Sequence, residues 1–208
     1  MFIAGRENWK ISIDEPQVLQ IALYIREVAG LETVTDPPIP PLDPSAAVWP
    51  AWARKPPESA APELSGIDGV AASTQWSRWW NHALDVGAPA LRDLAHPSFK
   101  AFGHLPELRE LLISHYPNAL SWSTASGDDP RIKRDHLASG RRLTGLMQSL
   151  ERDAGRHTRP FQLRITVIAV QSKHAWILDQ EHLLVTHHLM RDDENLLDWL
   201  RSQIIALV

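Results

Sequence analysis

Nine prolines fall between positions 37 and 62, at 37, 38, 40, 41, 44, 50, 56, 57 and 62, and no helix or central strand survives that density. Each one fixes φ near −65° and removes a backbone donor, so residues 36–65 are expected to form an extended loop or linker, much of it polyproline II. The chain must therefore build its regular structure on either side of this stretch. Val48, Trp49 and Trp52 lie within it and are costly to leave in water, so part of the segment is expected to pack onto a folded domain. Pro37-Pro38-Ile39-Pro40-Pro41 also contains overlapping PxxP spacings, which a proline-recognition domain can bind, although such spacings arise by chance wherever proline is common and a linker or packed loop accounts for them better.

The chain has 208 residues, 44% of them hydrophobic and 22% charged, which is enough apolar mass for a real core. A single α+β domain over residues 1–208 is expected, with a split near residue 65 as the alternative. There is no cysteine, so disulfides and thiol catalysis are excluded, and any zinc site would need histidine and carboxylate ligands. The net charge of −4 gives no bulk attraction to nucleic acid or to an anionic membrane. The first residues lack a secretory signal and no apolar run approaches membrane length, so a soluble, cytoplasmic protein without membrane contact is expected. Arginine outnumbers lysine, and alanine and proline are abundant, as in proteins from high-GC bacterial genomes.

Periodicity places the elements. Trp9, Ile11 and Ile13 alternate with polar residues and predict a short strand within residues 2–13. Asp14 and Gln17 have capping-box spacing around Pro16, and Val18, Ala22, Ile25 and Ala29 form one face of a helix that stops at Gly30. Residues 70–84 read as a second helix. Residues 88–116 hold one or two more, with Leu108, Leu111 and Leu112 as their stripe, and Ser121–Pro130 reads as a loop. Leu143, Leu146, Met147 and Leu150 mark a helix over 131–154. The last third predicts strands at 162–170, 175–178 and 182–189. Asp192 or Asp193 then caps a final helix bearing Leu196, Leu197, Leu200, Ile204 and Leu207. The expected fold is α+β: a C-terminal three-stranded antiparallel meander covered by the terminal helix, a mainly helical middle and the proline-rich extended segment.

Nine tryptophans supply the first candidate site. Trp76, Trp79 and Trp80 share a helix face, where they form either an aromatic platform for a partner or a packing face that clamps the segment around Trp49 and Trp52. Arg78 and His82 stand beside them as polar contacts. A second candidate is basic: residues 131–159 carry eight arginines and lysines, Arg141 and Arg142 among them, against Asp135, Glu151 and Asp153. That asymmetry suits nucleic acid or phosphate, or else a solvated helix facing the acidic C-terminal segment. A third is the histidine group: His182 and His188 on one face of the predicted third strand, with His174, Asp179 and Glu181 nearby. The chain contains no HExxH, no Gly-x-Ser-x-Gly elbow, no GxGxxG and no P-loop, and no cofactor is expected. The leading reading is a non-enzymatic interaction or accessory protein whose partner is another protein. The alternatives are a nucleic-acid- or phosphate-binding protein using residues 131–159, and a hydrolase built on histidines and carboxylates.

Overall fold

The computed structural model describes residues 2–6, 9–49, 66–127 and 130–204. In chain order the elements are β1 (Phe2–Arg6), β2 (Trp9–Asp14), α1 (Gln17–Val28), α2 (Gly69–Val86), two 3-10 turns (Ala88–Asp93 and Lys100–Phe102), α3 (Pro106–Gly127) and α4 (Pro130–Ala154). β3 (Phe161–Ile168), β4 (Ala175–Asp179), β5 (His182–Thr186), α5 (His187–Met190) and α6 (Asp193–Ile204) follow. The broad α+β class holds. The chain divides into two compact units, Met1–Glu15 with Asp129–Val208, and Pro16–Asp128. Among the described residues, no helix is long and apolar enough to cross a membrane.

The first unit is a five-stranded mixed sheet in the order β1-β2-β3-β5-β4. The expected antiparallel meander is not formed. β5 runs parallel to β3 and lies between it and β4, while β2 pairs parallel on the other side of β3. Burial explains the order. Ile165, Thr166, Val167 and Ile168 of β3 are all buried, so this strand needs a partner along each edge, whereas β4 leaves Ile177 57% exposed and suits an edge. The β4–β5 hairpin was legible from its short turn; the β3–β4 connection is not a hairpin. At the other edge, β1 and β2 make an antiparallel hairpin in place of one strand. Gly5 is required there, because a Cβ would sit 2.7 Å from the Trp9 carbonyl oxygen.

The strand expected over 182–189 ends at Thr186, whose Oγ1 accepts from the Leu189 amide (3.3 Å) and opens α5. One sheet face, with Trp9, Ile11, Ile13, Leu163, Ile165, Val167, Leu183 and Val185, shares a core with Leu143, Met147 and Leu150 of α4 and Leu196, Leu200 and Ile204 of α6. Asp192 caps α6 by accepting from the Asn195 amide (3.4 Å). Leu207, assigned above to this stripe, lies outside the described residues.

The second unit is helical. The capping box expected around Asp14 is absent: Asp14 closes β2, and Pro16 holds the N-cap position of α1 with no side-chain bond. Gly30, at φ 59°, ends the helix as expected. The loop expected over Ser121–Pro130 is helical as far as Gly127, because α3 continues through Pro117. Tertiary contacts hold that last stretch. Gln17 Nε2 donates to Ser123 Oγ (3.2 Å) and Thr124 Oγ1 (3.0 Å), and the buried Trp122 ring lies 5.7 Å from Tyr24.

The proline-rich segment has neither helix nor strand as far as Trp49, yet it is packed rather than free. Buried Arg26 donates to the carbonyls of Ile39 (2.8 Å) and Pro40, and Glu27 accepts from the Ser45 hydroxyl (2.6 Å) and the Ala46 amide (2.8 Å). Leu42 and Ala46 are the buried anchors, while Val48 is exposed and Trp49 half-buried. Val48 contributes its carbonyl, which accepts from Trp122 Nε1 (3.3 Å).

Candidate binding site

Asp68 sets the start of α2 by accepting at Oδ1 from the amides of Val70 (3.0 Å) and Ala71 (3.1 Å). From that origin Trp76, Trp79, Trp80 and Ala83 fall on one buried face, with the three indoles at most 2% exposed. They are core residues, and an open aromatic platform is not formed. Trp76 and Trp80 stack at 5.3 Å and 12°, and Trp76 Nε1 donates to the Ala22 carbonyl (2.8 Å). The Arg26 guanidinium lies 5.6 Å from the Trp76 ring, so the tie between the tryptophan face and the prolines runs through this cation. Burial holds the Arg26 pKa below its ordinary value, and the neighbouring Glu27 carboxylate opposes that shift. Trp49 lies at the end of the packed stretch, and Trp52 lies outside the described residues.

Trp79 differs from its two neighbours. Its ring meets Phe102 edge-on at 5.6 Å, and it lines a cavity of about 390 Å³ with Arg78, His82, Asp93, Ala101, Phe102, His104 and Leu105. Three local features shape this cavity. Arg78 and His82 lie one turn apart on α2 and point to the same side. Gly87, at φ 72°, then breaks the helix and turns the chain into the first 3-10 turn, which delivers Asp93. The second 3-10 turn delivers Ala101 and Phe102. It is braced by the Arg109 guanidinium, whose Nε and Nη2 donate to the Ser98 carbonyl (3.1 and 3.0 Å), and by buried Phe99 against Tyr116 (5.2 Å).

The chemistry of the pocket is that of a donor-rich wall over an apolar floor. His82 Nε2 and Asp93 Oδ2 are 3.3 Å apart, so the one carboxylate in the wall is engaged. Arg78 and His104 make no hydrogen bond or ion pair among the described residues and are exposed. Trp79 Nε1 is buried from solvent and has no acceptor among the described residues. Among the described residues, no serine or threonine lines the cavity beside the imidazole–carboxylate pair. Arg78, Trp79 and His82 were legible in the sequence. Asp93, Phe102 and His104 were not, because they come from irregular turns with no period to follow.

The other candidates separate. On α4, Arg141 is exposed, and Arg142 is half-buried and engaged. Of the ion pairs near this helix, His157–Glu151 (3.5 Å) is local, and Arg201–Asp153 (3.0 Å) joins a cation of α6 to an acid of α4. That is opposite in sign to the acidic C-terminal face expected to receive the basic helix. The histidine group is dispersed: His188 is in α5, not on a strand, and His174 packs edge-on against Trp176 (4.8 Å).

His182 is buried in the sheet, in register with Arg164 and Asp179 on its two neighbours. Its Nδ1 accepts from Arg164 Nη2 (2.8 Å), which leaves the proton on Nε2 to be donated to Thr166 Oγ1 (2.8 Å). Both ring nitrogens are thus committed, although the imidazole borders a second cavity, of about 330 Å³, with Lys10, Ser12, Asp179 and Glu181. Among the described residues no three histidine or carboxylate groups converge with metal-site spacing. No family model matches the chain, and no curated protein or solved structure matches it.

Proposed function

We propose that the protein is a non-enzymatic binding protein, an interaction or accessory factor, whose contact site is the pocket beside Trp79. One observation carries the reading. Among the described residues, an exposed guanidinium without a partner and the Trp79 ring border the same ligand-sized cavity. The partner on this reading is another protein, and the cysteine-free chain suits the cytoplasm. Ala101→Trp fills the cavity from its exposed rim. With wild type and variant immobilised side by side and bound proteins quantified by mass spectrometry, the variant should lose the partners that wild type retains, with an unchanged melting curve. Equal retention by both proteins would remove the pocket from the contact surface.

A specific observation also supports a second reading, phosphate or nucleic-acid binding by α4. Arg134, Arg141 and Arg152 are all exposed, and their spacings of seven and eleven residues are whole helical turns to within about 20°. They form a straight stripe suited to a phosphate backbone. Binding through it would weaken steeply with salt and would lose part of its salt slope in Arg141→Ala. An unchanged slope would leave the stripe as a solvated face.

A further inference from the structure

We infer, on the basis of the binding reading above, that the pocket beside Trp79 takes a carboxylate of the partner that stands next to an aromatic or branched apolar group. The Arg78 guanidinium presents a planar fork of donors that matches a carboxylate, and the Trp79 ring lies in the wall next to it. Behind these donors lie Phe102, Ala101 and Leu105, which with the Trp79 ring can hold an apolar body but no second charge. Asp93 is occupied by His82 at 3.3 Å, so among the described residues the wall offers Arg78 as its one unopposed fixed cation. One cation suits a monocarboxylate better than a dianionic phosphate, whose second charge would face Asp93. The volume, about 390 Å³, is at the small end of ligand cavities and fits one ring with a short chain rather than a nucleotide.

The test uses the full ¹⁵N-labelled chain, in which the nine tryptophans give indole N–H signals that can be followed one by one. Trp79→Phe identifies the Trp79 signal. Should that variant not fold, Phe102→Leu identifies it by removing the ring 5.6 Å from the indole. Three probes of one shape are titrated: 3-phenylpropionate, its neutral amide and 3-phenylpropylamine. The acid should shift the Trp79 signal saturably and bind about tenfold more tightly than the amide, as a charge-assisted pair with Arg78 requires, with the amine weakest. Arg78→Met should weaken the acid by about the same factor and leave the amide unchanged. Equal binding of all three probes, or an acid indifferent to Arg78→Met, would overturn the carboxylate assignment while leaving a binding pocket in place. No shift with any probe would overturn it as well. The proposed function is judged separately, by the Ala101→Trp comparison.

Discussion

At the scale of single residues, Arg26 does more than its position in the sequence announces. It stands outside the apolar stripe of its own helix, yet it is buried, faces the Trp76 ring and donates to two carbonyls of the proline segment. Proline-rich backbone has few donors of its own and leaves carbonyls in need of partners. A planar, permanently charged fork serves two of them at once. Arg26→Met keeps the stem and its contact with the ring but removes the donors. It should lower stability by about 2–4 kcal/mol, since hydrogen bonds to charged groups contribute about 1.5–3 kcal/mol each and are not fully additive. A urea midpoint equal to wild type would show that the carbonyls find water instead. His115 is the second informative residue. It is buried on α3, Nε2 has no partner among the described residues, and burial pushes its pKa below the ordinary value. The unfolded chain therefore binds a proton that the folded one resists. This group's contribution is complete above the unfolded pKa of about 6.5 and falls as pH drops below it, with a slope of at most about 1.4 kcal/mol per pH unit. Stability measured from pH 7.5 to 5 should decline more steeply in wild type than in His115→Leu. Parallel curves would refute the assignment.

At the scale of elements, local periodicity was a good guide wherever one face of a helix meets the core. The stripes of α4 and α6 could be read directly, since Leu143, Met147, Leu150, Leu196 and Leu200 all fall in one core. It failed where tertiary contacts outweigh local preference. Pro117 and the polar run from Ser121 to Gly127 look like the end of a helix, yet α3 continues through both. Pro117 has no N–H to offer the Ile113 carbonyl, a loss that costs a helix interior about 3 kcal/mol or more together with the ring's clash. The turn beyond it is retained because Trp122 is buried and Gln17 bonds to Ser123 and Thr124. Pro117→Ala should then stabilise the protein. The recovered donor and relieved clash are opposed by about 0.4–1 kcal/mol of extra freedom in the unfolded chain, leaving a net gain of about 2 kcal/mol or more in urea unfolding. A net loss would mean that α3 is shaped around the proline. Similarly, Asp14 and Gln17 have capping-box spacing, but Asp14 is claimed by β2 and Gln17 by α3, so neither is left for a cap. A sequence window holds both options and cannot rank them.

At the scale of the whole molecule, strand identity was legible and strand pairing was not. Each strand is a local pattern, but its neighbour in the sheet is decided by which edges remain to be covered once the core forms. β2 and β3 pair in parallel although Pro16–Asp128, the entire second unit, lies between them in the chain. No window of sequence shows such a pairing. The candidate site has the same character: Arg78, Trp79 and His82 share a helix turn and could be read together, whereas Asp93, Phe102 and His104 arrive by way of a glycine break and two 3-10 turns. The sheet order has a direct consequence for protection. In a meander, β4 would be the central strand and its amides the slowest to exchange. In the mixed sheet it is an edge, β3 and β5 are interior, and only β5 covers one side of β4. Amide exchange opens from edges and frayed elements first and from core strands only near global unfolding. Hydrogen exchange followed by peptide mass analysis should therefore find 161–168 and 182–186 protected for longest, with 175–179 and 2–6 exchanging much sooner. Protection of 175–179 equal to that of 161–168 would restore the antiparallel meander and put β4 at the centre of the sheet.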